Sequence, residues 1–168
     1  AYDQVKADIT RLMSDIEIRV GQTDITPDDF DLARFAVVAW VDETLLSSPW
    51  QDRDQWQKDS LQRRYYQIAD AGEIFFDRLN AIGPHQRDVR EVYYLCLAMG
   101  FKGRYIHQGD DYLLDQLKTS NLKLLTGTSV GIPSLETGNF FPEAYPVDAV
   151  AAAPAAAIRK PPFACCPE

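Results

Sequence analysis

The sequence predicts an all-α fold for residues 1–126, and three observations support this class. No alternation of apolar and polar residues is long enough to form a strand with a partner. Signals for helix starts and stops separate segments of helical periodicity. Within each segment apolar residues recur every three or four positions, as in the first one, with Tyr2, Val5, Ile9, Leu12, Ile16 and Val20.

The first two predicted helices have clear boundaries. Gly21 ends the first helical face. Thr26 suits the N-cap of the second helix, because Pro27 then takes the first helical position and two aspartates lie in the first turn. This helix is predicted to continue to about Ser47 and to stop before Pro49.

Four further helical stretches are predicted in this region. Gly83-Pro84 interrupts the chain between the second and the third of them. Gly100 is placed to end the third stretch in the left-handed conformation, and Asp110 or Asp111 opens the last one. The stretches cover about residues 54–68, 73–82, 86–99 and 110–125.

Residues 127–168 differ in composition from the helical region. Seven of the ten prolines lie here, with an alanine-rich run at 149–157 and only six charged residues. This composition predicts an extended arm and a Pro/Ala-rich linker. The sequence is therefore divided into a helical domain, residues 1–126, and an extended tail, residues 127–168.

Composition and charge exclude several classes of protein. The 168 residues include 25 acidic and 17 basic ones, a net charge of −8, which does not suit a nucleic-acid or anionic-membrane binder. This length buries a hydrophobic core without disulfides or metals. Three cysteines, two of them adjacent at Cys165 and Cys166, form no disulfide framework and favour a reducing compartment. No run of about 18 apolar residues is present to span a bilayer.

The second predicted helix carries an acidic pair in an unusual place. Residues 35–41 are apolar on every side, which indicates a central, buried helix, and Asp42 and Glu43 follow directly. The helix dipole disfavours negative charge there, so these carboxylates must pair, reach solvent or change their pKa. Three interpretations stay open: internal ion pairs or N-caps, with Arg104 or Arg90 as candidates; a cleft for a basic partner; and a catalytic dyad.

Other signals of catalysis or cofactor binding are weak. His85 and His107 are far apart in sequence, and Cys96 lies in an apolar helix, so no metal site is predicted. No glycine-rich phosphate loop follows a strand, and no cofactor is predicted. Trp50, in the loop after the second helix, is either an anchor beneath this loop or a contact residue for a partner.

Three segments, taken in order, resemble the DotU/TssL family of inner-membrane components of bacterial type VI and related type IVb secretion systems. The third segment is the most specific, and one departure is Ala71, where the family often has a second glycine. The segments are AWVDETLL at 39–46, followed by Pro49-Trp50 and Trp56; AGEIFF at 71–76; and YLCLAMGFKGRY at 94–105.

The resemblance implies a cytoplasmic domain of about eight helices, arranged as two three-helix bundles in a hook shape, with no enzymatic activity. It implies an inner-membrane location through a C-terminal transmembrane helix that would follow the linker. The implied partners are the IcmF-like (TssM) inner-membrane protein, a TssK-like baseplate protein and the TssJ lipoprotein of the same complex. A homodimer is a further option.

The resemblance also selects site residues. It implies that Asp42 and Glu43 line a cleft between the bundles and contact a partner, and Trp50 joins them as a candidate partner-binding residue. A turn between two glycines is expected to let an arginine close onto a carboxylate or onto helix C-terminal carbonyls. The motif residues expected to be structural are Trp56, Gly72, Glu73, Gly100, Gly103, Arg104 and Tyr105.

Two functions follow as hypotheses. The first is a structural and docking subunit of a type VI secretion membrane complex, in which an acidic cleft receives a basic protein surface. The alternative is an acid–base or metal-dependent hydrolase, which requires a histidine within about 3–6 Å of Asp42 or Glu43. The position of the two histidines distinguishes these hypotheses.

Overall fold

The computed structural model of the chain describes residues 2–127, which form seven helices and no strand. The predicted all-α class is confirmed, with seven helices in this range where the resemblance implied about eight. The tail predicted for 127–168 lies outside the described residues, apart from Gly127. The helices are α1 (Tyr2–Val20), α2 (Pro27–Ser47), α3 (Arg53–Lys58), α4 (Leu61–Tyr66), α5 (Ala71–Ala81), α6 (Arg87–Ala98) and α7 (Asp110–Thr126).

The start of α2 follows the predicted capping pattern. The backbone N–H of Asp29 donates to Thr26 Oγ1 at 3.1 Å, and the N–H of Phe30 donates to the Thr26 carbonyl. Pro27 occupies the first helical position, where a missing N–H costs nothing. At the other end, Ser48 has extended backbone geometry before Pro49, so the helix stops where the sequence predicted.

The predicted single helix at 54–68 is wrong, because this segment forms α3 and α4 with a break between them. Ser60 adopts extended geometry, and the backbone N–H of Asp59 donates to the Trp56 carbonyl at the end of α3. The first N–H groups of α4 then point at a carboxylate on α2, described below. This tertiary acceptor compensates the interruption of the helix.

The boundaries of α5 and α6 agree with the prediction to within two residues. Gly100 has φ +100° after α6, as its predicted left-handed conformation requires. No helix in residues 2–127 combines the length and hydropathy needed to cross a bilayer.

Buried apolar residues form two clusters, and α2 contributes to both. The larger cluster joins α2 to α5, α6 and α7 around Phe35, Phe75 and Tyr93. The smaller cluster joins α1, α2, α3 and α4 around Trp56 and Val38. Each fully buried side chain of this kind contributes about 1.5–3 kcal/mol. Each cluster draws on four helices, where the resemblance implied three-helix bundles.

Candidate functional site

The three sequence segments that carry the family resemblance meet at one cleft. It has a volume of about 370 Å³ and lies between the C-terminal half of α2, the N-termini of α4 and α5, and the loop after α6. We call it the acidic cleft, because the only charged lining residues among those described are two acids. Its lining residues are Ala39, Asp42, Glu43, Leu46, Ser47, Gln62, Ala71, Gly72, Phe101 and Gly103.

Asp42 is a buried acceptor shared by two other helices. Its Oδ1 accepts hydrogen bonds from Trp56 Nε1 at 2.8 Å and from the N–H of Leu61 at 2.9 Å. Its Oδ2 accepts from the N–H of Gln62 at 2.8 Å, and the residue is 1% exposed. The first N–H groups of a helix have no partner within that helix, so Asp42 caps α4 from outside. It thereby fixes α3 and α4 against α2.

Burial raises the pKa of the Asp42 carboxyl above its ordinary value, because desolvation disfavours the charged form. The hydrogen bonds from Gln62, Leu61 and Trp56 act in the opposite direction and favour the carboxylate. Hydrogen bonds to an ionised acceptor are roughly twice as strong as neutral ones. The three N–H donors thus offset part of the cost of burying the Asp42 carboxylate.

Glu43 holds the loop after α6 against α2. Its Oε1 accepts from the N–H of Lys102 at 2.8 Å, and its Oε2 accepts from the N–H of Gly103 at 2.7 Å. Two successive N–H groups of this kind form a concavity that binds anions. The Lys102 ammonium lies 3.5 Å from Asp111, so it is the backbone N–H groups of Lys102 and Gly103 that bind the Glu43 carboxylate. Each carboxylate oxygen retains a lone pair, so Glu43 keeps acceptor capacity.

Gly72 and Gly103 let the start of α5 and the loop after α6 come into backbone contact. Gly103 has φ +51°, and a Cβ there would lie 2.6 Å from the Gly72 carbonyl oxygen and 2.8 Å from the Phe76 ring. A Cβ on Gly72 would lie 3.2 Å from Gly103 Cα. No larger residue fits this wall of the cleft at position 103 without displacing backbone.

Arg104 and Tyr105 fold back onto α5. The Arg104 guanidinium lies 3.3 Å from Asp77 and 4.0 Å from Glu73, and 5.1 Å from the centroid of the Phe76 ring. Tyr105 packs edge-on against the same ring at 4.7 Å. The carboxylates onto which Arg104 closes are thus on α5.

Trp50 packs inward in the loop after α2. Its ring stacks on Tyr2 with centroids 6.3 Å apart and an interplanar angle of 9°, and lies 6.2 Å from Trp56, which is fully buried. Tyr2 in turn donates its hydroxyl to Asp59 Oδ2 at 3.0 Å. This geometry favours the anchor interpretation of Trp50 over that of an exposed partner contact.

The arginines considered as partners of the acidic pair lie elsewhere. Arg104 pairs with α5, and Arg90 donates to Asn121 Oδ1 at 2.7 Å. The expectation that either arginine pairs with Asp42 or Glu43 is therefore wrong. Backbone N–H groups and an indole take their place, because helix ends and tight loops supply donors close to α2.

Gln62 is a cleft residue that the sequence analysis did not select. Its backbone N–H donates to Asp42, and its side-chain Oε1 accepts from the N–H of Ala71 at 3.0 Å. Gln62 therefore connects the start of α4 to the start of α5. A single glutamine in a polar stretch has no pattern of its own, so no sequence signal would have identified it.

Neither histidine lines the acidic cleft. His85 lies between α5 and α6, and His107 lies before α7, where its backbone N–H donates to Asp110 Oδ2 at 2.9 Å. Across residues 2–127, no group of three or more His, Cys, Asp and Glu side chains is arranged to hold a metal ion. The acid–histidine arrangement that a hydrolase requires is not found in the lining of this cleft.

Comparisons relate the chain to known proteins. The model of the family described as type VI secretion system protein DotU matches residues 1–159, which include all three segments around the cleft. The cytoplasmic domain of TssL from Acinetobacter baumannii has a similar fold, with a TM-score of 0.69 and 23% identity over 74% of this chain and 82% of that chain. No curated protein matches the chain. The chain therefore belongs to the DotU family of type VI secretion system proteins.

Proposed function

We propose that the chain is a docking subunit of a type VI secretion membrane complex, without a catalytic role, and that its acidic cleft receives a basic side chain of a partner. The proposed partners are an IcmF-like (TssM) inner-membrane protein and a TssK-like baseplate protein, with a TssJ lipoprotein in the same complex. A C-terminal anchor in the bacterial inner membrane belongs to the same proposal.

The convergence of the three family segments on one cleft supports this proposal most directly. Segments of α2, of α5 and of the loop after α6 are far apart in sequence, and all contribute to the lining. Hydrogen bonds from Lys102 and Gly103 to Glu43 hold two of these segments together. Such a preformed concave site suits recognition of another molecule.

The electrostatics of the cleft favour a cation. Asp42 and Glu43 lie near the C-terminus of α2, where the helix dipole adds partial negative charge. The described lining contains no basic side chain to neutralise them. A Lys or Arg of a partner would therefore meet carboxylate charge that no basic side chain of the lining pairs with, which gives orientation and specificity to docking.

The two acids have different roles in this proposal. Glu43 is half-buried and retains acceptor capacity, so it is the contact residue. Asp42 is 1% exposed and is a positioning residue, which holds α3 and α4 beside the cleft. Trp50 supports the same region from beneath the loop after α2.

Co-purification of the full chain with the TssK-like and TssM-like proteins of the same organism tests the proposal. We expect Glu43→Ala to weaken partner binding about tenfold or more, since a contact to a charged group is worth about 1.5–3 kcal/mol. Glu91→Ala is a matched control, because Glu91 is an exposed glutamate on α6 outside the cleft. Thermal unfolding of both variants verifies their fold.

Salt dependence gives a second criterion. Recovery of the partner with the wild-type chain is expected to fall as ionic strength rises, because exposed charges are screened within about 10 Å at 0.1 M salt. Normal recovery by a well-folded Glu43→Ala variant, or binding independent of salt, would contradict an electrostatic docking role for this cleft.

A further inference from the structure

A second depression lies along the N-terminal half of α2 and is lined mostly by apolar side chains. It has a volume of about 520 Å³ and is bordered by α1, α2 and the start of α6. We call it the apolar groove. It shares no lining residue with the acidic cleft.

The groove is open because the second half of α1 does not complete its packing against α2. Met13 is 5% exposed, whereas Ile16, one turn later, is 42% exposed although it lines the groove. Ile25, at the end of the groove, is 50% exposed. Binding of a partner that removes such apolar surface from water is favourable.

The spacing of the lining residues is that of helix-packing stripes. α2 contributes Phe30, Ala33 and Val37, at positions i, i+3 and i+7. α1 contributes a stripe with the same spacing, from Met13 through Ile16 to Val20, and α6 adds Val89 and Val92. Three helical faces therefore surround one trough, the shape into which an amphipathic helix fits its apolar face.

The polar rim of the groove is acidic. Asp24, Asp29 and Asp88 all line it, and Asp24 and Asp88 form no ion pair with any residue in 2–127. Asp29 Oδ1 accepts a hydrogen bond from Gln86 at 2.7 Å, and no lysine or arginine in residues 2–127 forms an ion pair with it.

The groove also has one basic residue and one histidine in its lining. The basic residue, Arg34, is already bound to Glu17 at 3.1 Å and to Asp31 at 2.7 Å, so it does not offset the carboxylates of the rim. The histidine is His85. The net charge around this apolar trough is therefore negative.

From the stripes and the rim we infer that the apolar groove binds an amphipathic helix of a partner protein, with Lys or Arg beside its apolar face. The apolar face would cover the trough, and the basic residues would meet Asp24, Asp29 and Asp88. An acyl-chain anion fits less well, because its carboxylate would face like charges. This inference does not rest on the function proposed for the acidic cleft, and either can fail alone.

A pair of synthetic peptides tests the inference with the full chain. Both have about 18 residues and the same helical leucine pattern, one with lysine and the other with glutamate at polar positions. Fluorescence anisotropy of the labelled peptides measures binding. We expect the Leu/Lys peptide to bind and the Leu/Glu peptide to bind at least about tenfold more weakly.

Two exposed isoleucines of α1 provide a matched pair of variants. Ile16 lines the groove and Ile18 does not, and their exposures are 42% and 61%. We expect Ile16→Arg to weaken binding of the Leu/Lys peptide about tenfold and Ile18→Arg to change it less than about twofold. Circular dichroism confirms that both variants fold.

Charge variants test the acidic rim separately, because they leave the apolar lining residues of the groove unchanged. Asp24→Asn with Asp88→Asn should weaken the Leu/Lys peptide, whereas Asp15→Asn with Glu91→Gln, which removes two exposed charges outside the groove, should not.

Equal effects of Ile16→Arg and Ile18→Arg, or of the two double variants, would overturn the inference as non-specific attraction to an acidic protein. Equal binding of both peptides would overturn the basic partner. Binding of a neutral detergent monomer in the groove, with no binding of either peptide, would overturn the helix in favour of a lipid-like ligand.

Discussion

The C-terminal half of α2 lines the acidic cleft, and its N-terminal half lines the apolar groove. In the cleft, Asp42 and Glu43 together accept five N–H donors from α3, α4 and the loop after α6. In the groove, Asp24 and Asp88 have no ion-pair partner within the part of the chain that the structure describes, and apolar side chains such as Ile16 stay in contact with water. One helix thus borders a cleft whose two carboxylates hold neighbouring segments in place and a groove in which two of the three carboxylates have no such partner in residues 2–127.

This difference determines what a substitution reports. A carboxylate that caps a helix from a distance contributes to stability, so its removal changes binding and folding together. A rim carboxylate without a partner in residues 2–127, such as Asp24 or Asp88, can be removed with little effect on folding, because exposed charges contribute little to stability. The predictions below test whether the two regions separate in this way.

The largest effect is expected for Asp42→Ala. Removal of the carboxylate leaves the indole of Trp56 and the N–H groups of Leu61 and Gln62 buried without their acceptor. We expect a loss of about 3–5 kcal/mol in the free energy of unfolding, measured by urea denaturation followed by circular dichroism.

Asp42→Asn is the conservative control for this prediction. The asparagine keeps the volume and one acceptor oxygen. Its amide NH₂ replaces the other carboxylate oxygen and faces an N–H donor, so that hydrogen bond is lost. Its loss should lie between those of the wild type and Asp42→Ala. A loss below about 1 kcal/mol for Asp42→Ala, with an unchanged denaturant slope, would mean that the cleft is not fixed from α2.

The next effect concerns the glycines of the loop after α6. Gly103→Ala places a methyl group 2.6 Å from the Gly72 carbonyl oxygen at φ +51°, so we expect a loss of about 3 kcal/mol from collision and strain. Gly100→Ala meets no atom within 4 Å at φ +100° and should cost about 1 kcal/mol, from backbone strain alone. Equal losses in the free energy of unfolding for Gly103→Ala and Gly100→Ala, measured by urea denaturation, would show that the loop after α6 moves away from α5 at little energetic cost.

The sequence predicted those parts of the fold that depend on neighbouring residues. The cap at Thr26 and the left-handed Gly100 are local, because each depends on a few adjacent positions. The break between α3 and α4 was not predictable in this way. It depends on Asp42, which lies 19 residues before Leu61 and reaches it only in the folded chain.

The apolar stripe of α1 shows a second case in which the sequence pattern does not reveal a tertiary contact. Its spacing predicted one apolar helical face, and along this face Leu12 is 55% and Ile16 is 42% exposed. Periodicity indicates which side of a helix is apolar and does not say how far a neighbouring helix covers it. The acidic pair was recognisable in the sequence because two carboxylates directly follow an apolar helical segment. Gln62, which completes the cleft, lies in a polar stretch without such a pattern and was not recognisable.

The smallest effect, and the sharpest contrast between the two regions, concerns pH. Hydrogen bonds from Gln86 and then Thr26 lower the pKa of the Asp29 carboxyl beside the groove, whereas burial raises that of Asp42 in the cleft. The contribution of Asp29 to stability is present above the ordinary aspartate pKa and is lost as pH falls through its lowered value. For Asp42 only the pH-dependent part follows its raised pKa: this part is complete below the ordinary value and is lost as pH rises through the raised value, while the carboxyl still accepts from its three N–H donors.

The two asparagine variants should therefore respond to acid in opposite directions. As the pH is lowered from about 7 to about 3, the loss in Tm caused by Asp29→Asn should shrink and the loss caused by Asp42→Asn should grow. The reason is that the aspartate at each position titrates, whereas the asparagine that replaces it does not. Asp28→Asn, beside Asp29 in the first turn of α2, corrects for removal of one carboxylate from this helix end. Parallel trends in thermal scans would mean that the two acids share one kind of environment, and the contrast between the acidic cleft and the apolar groove along α2 would then lose its electrostatic basis.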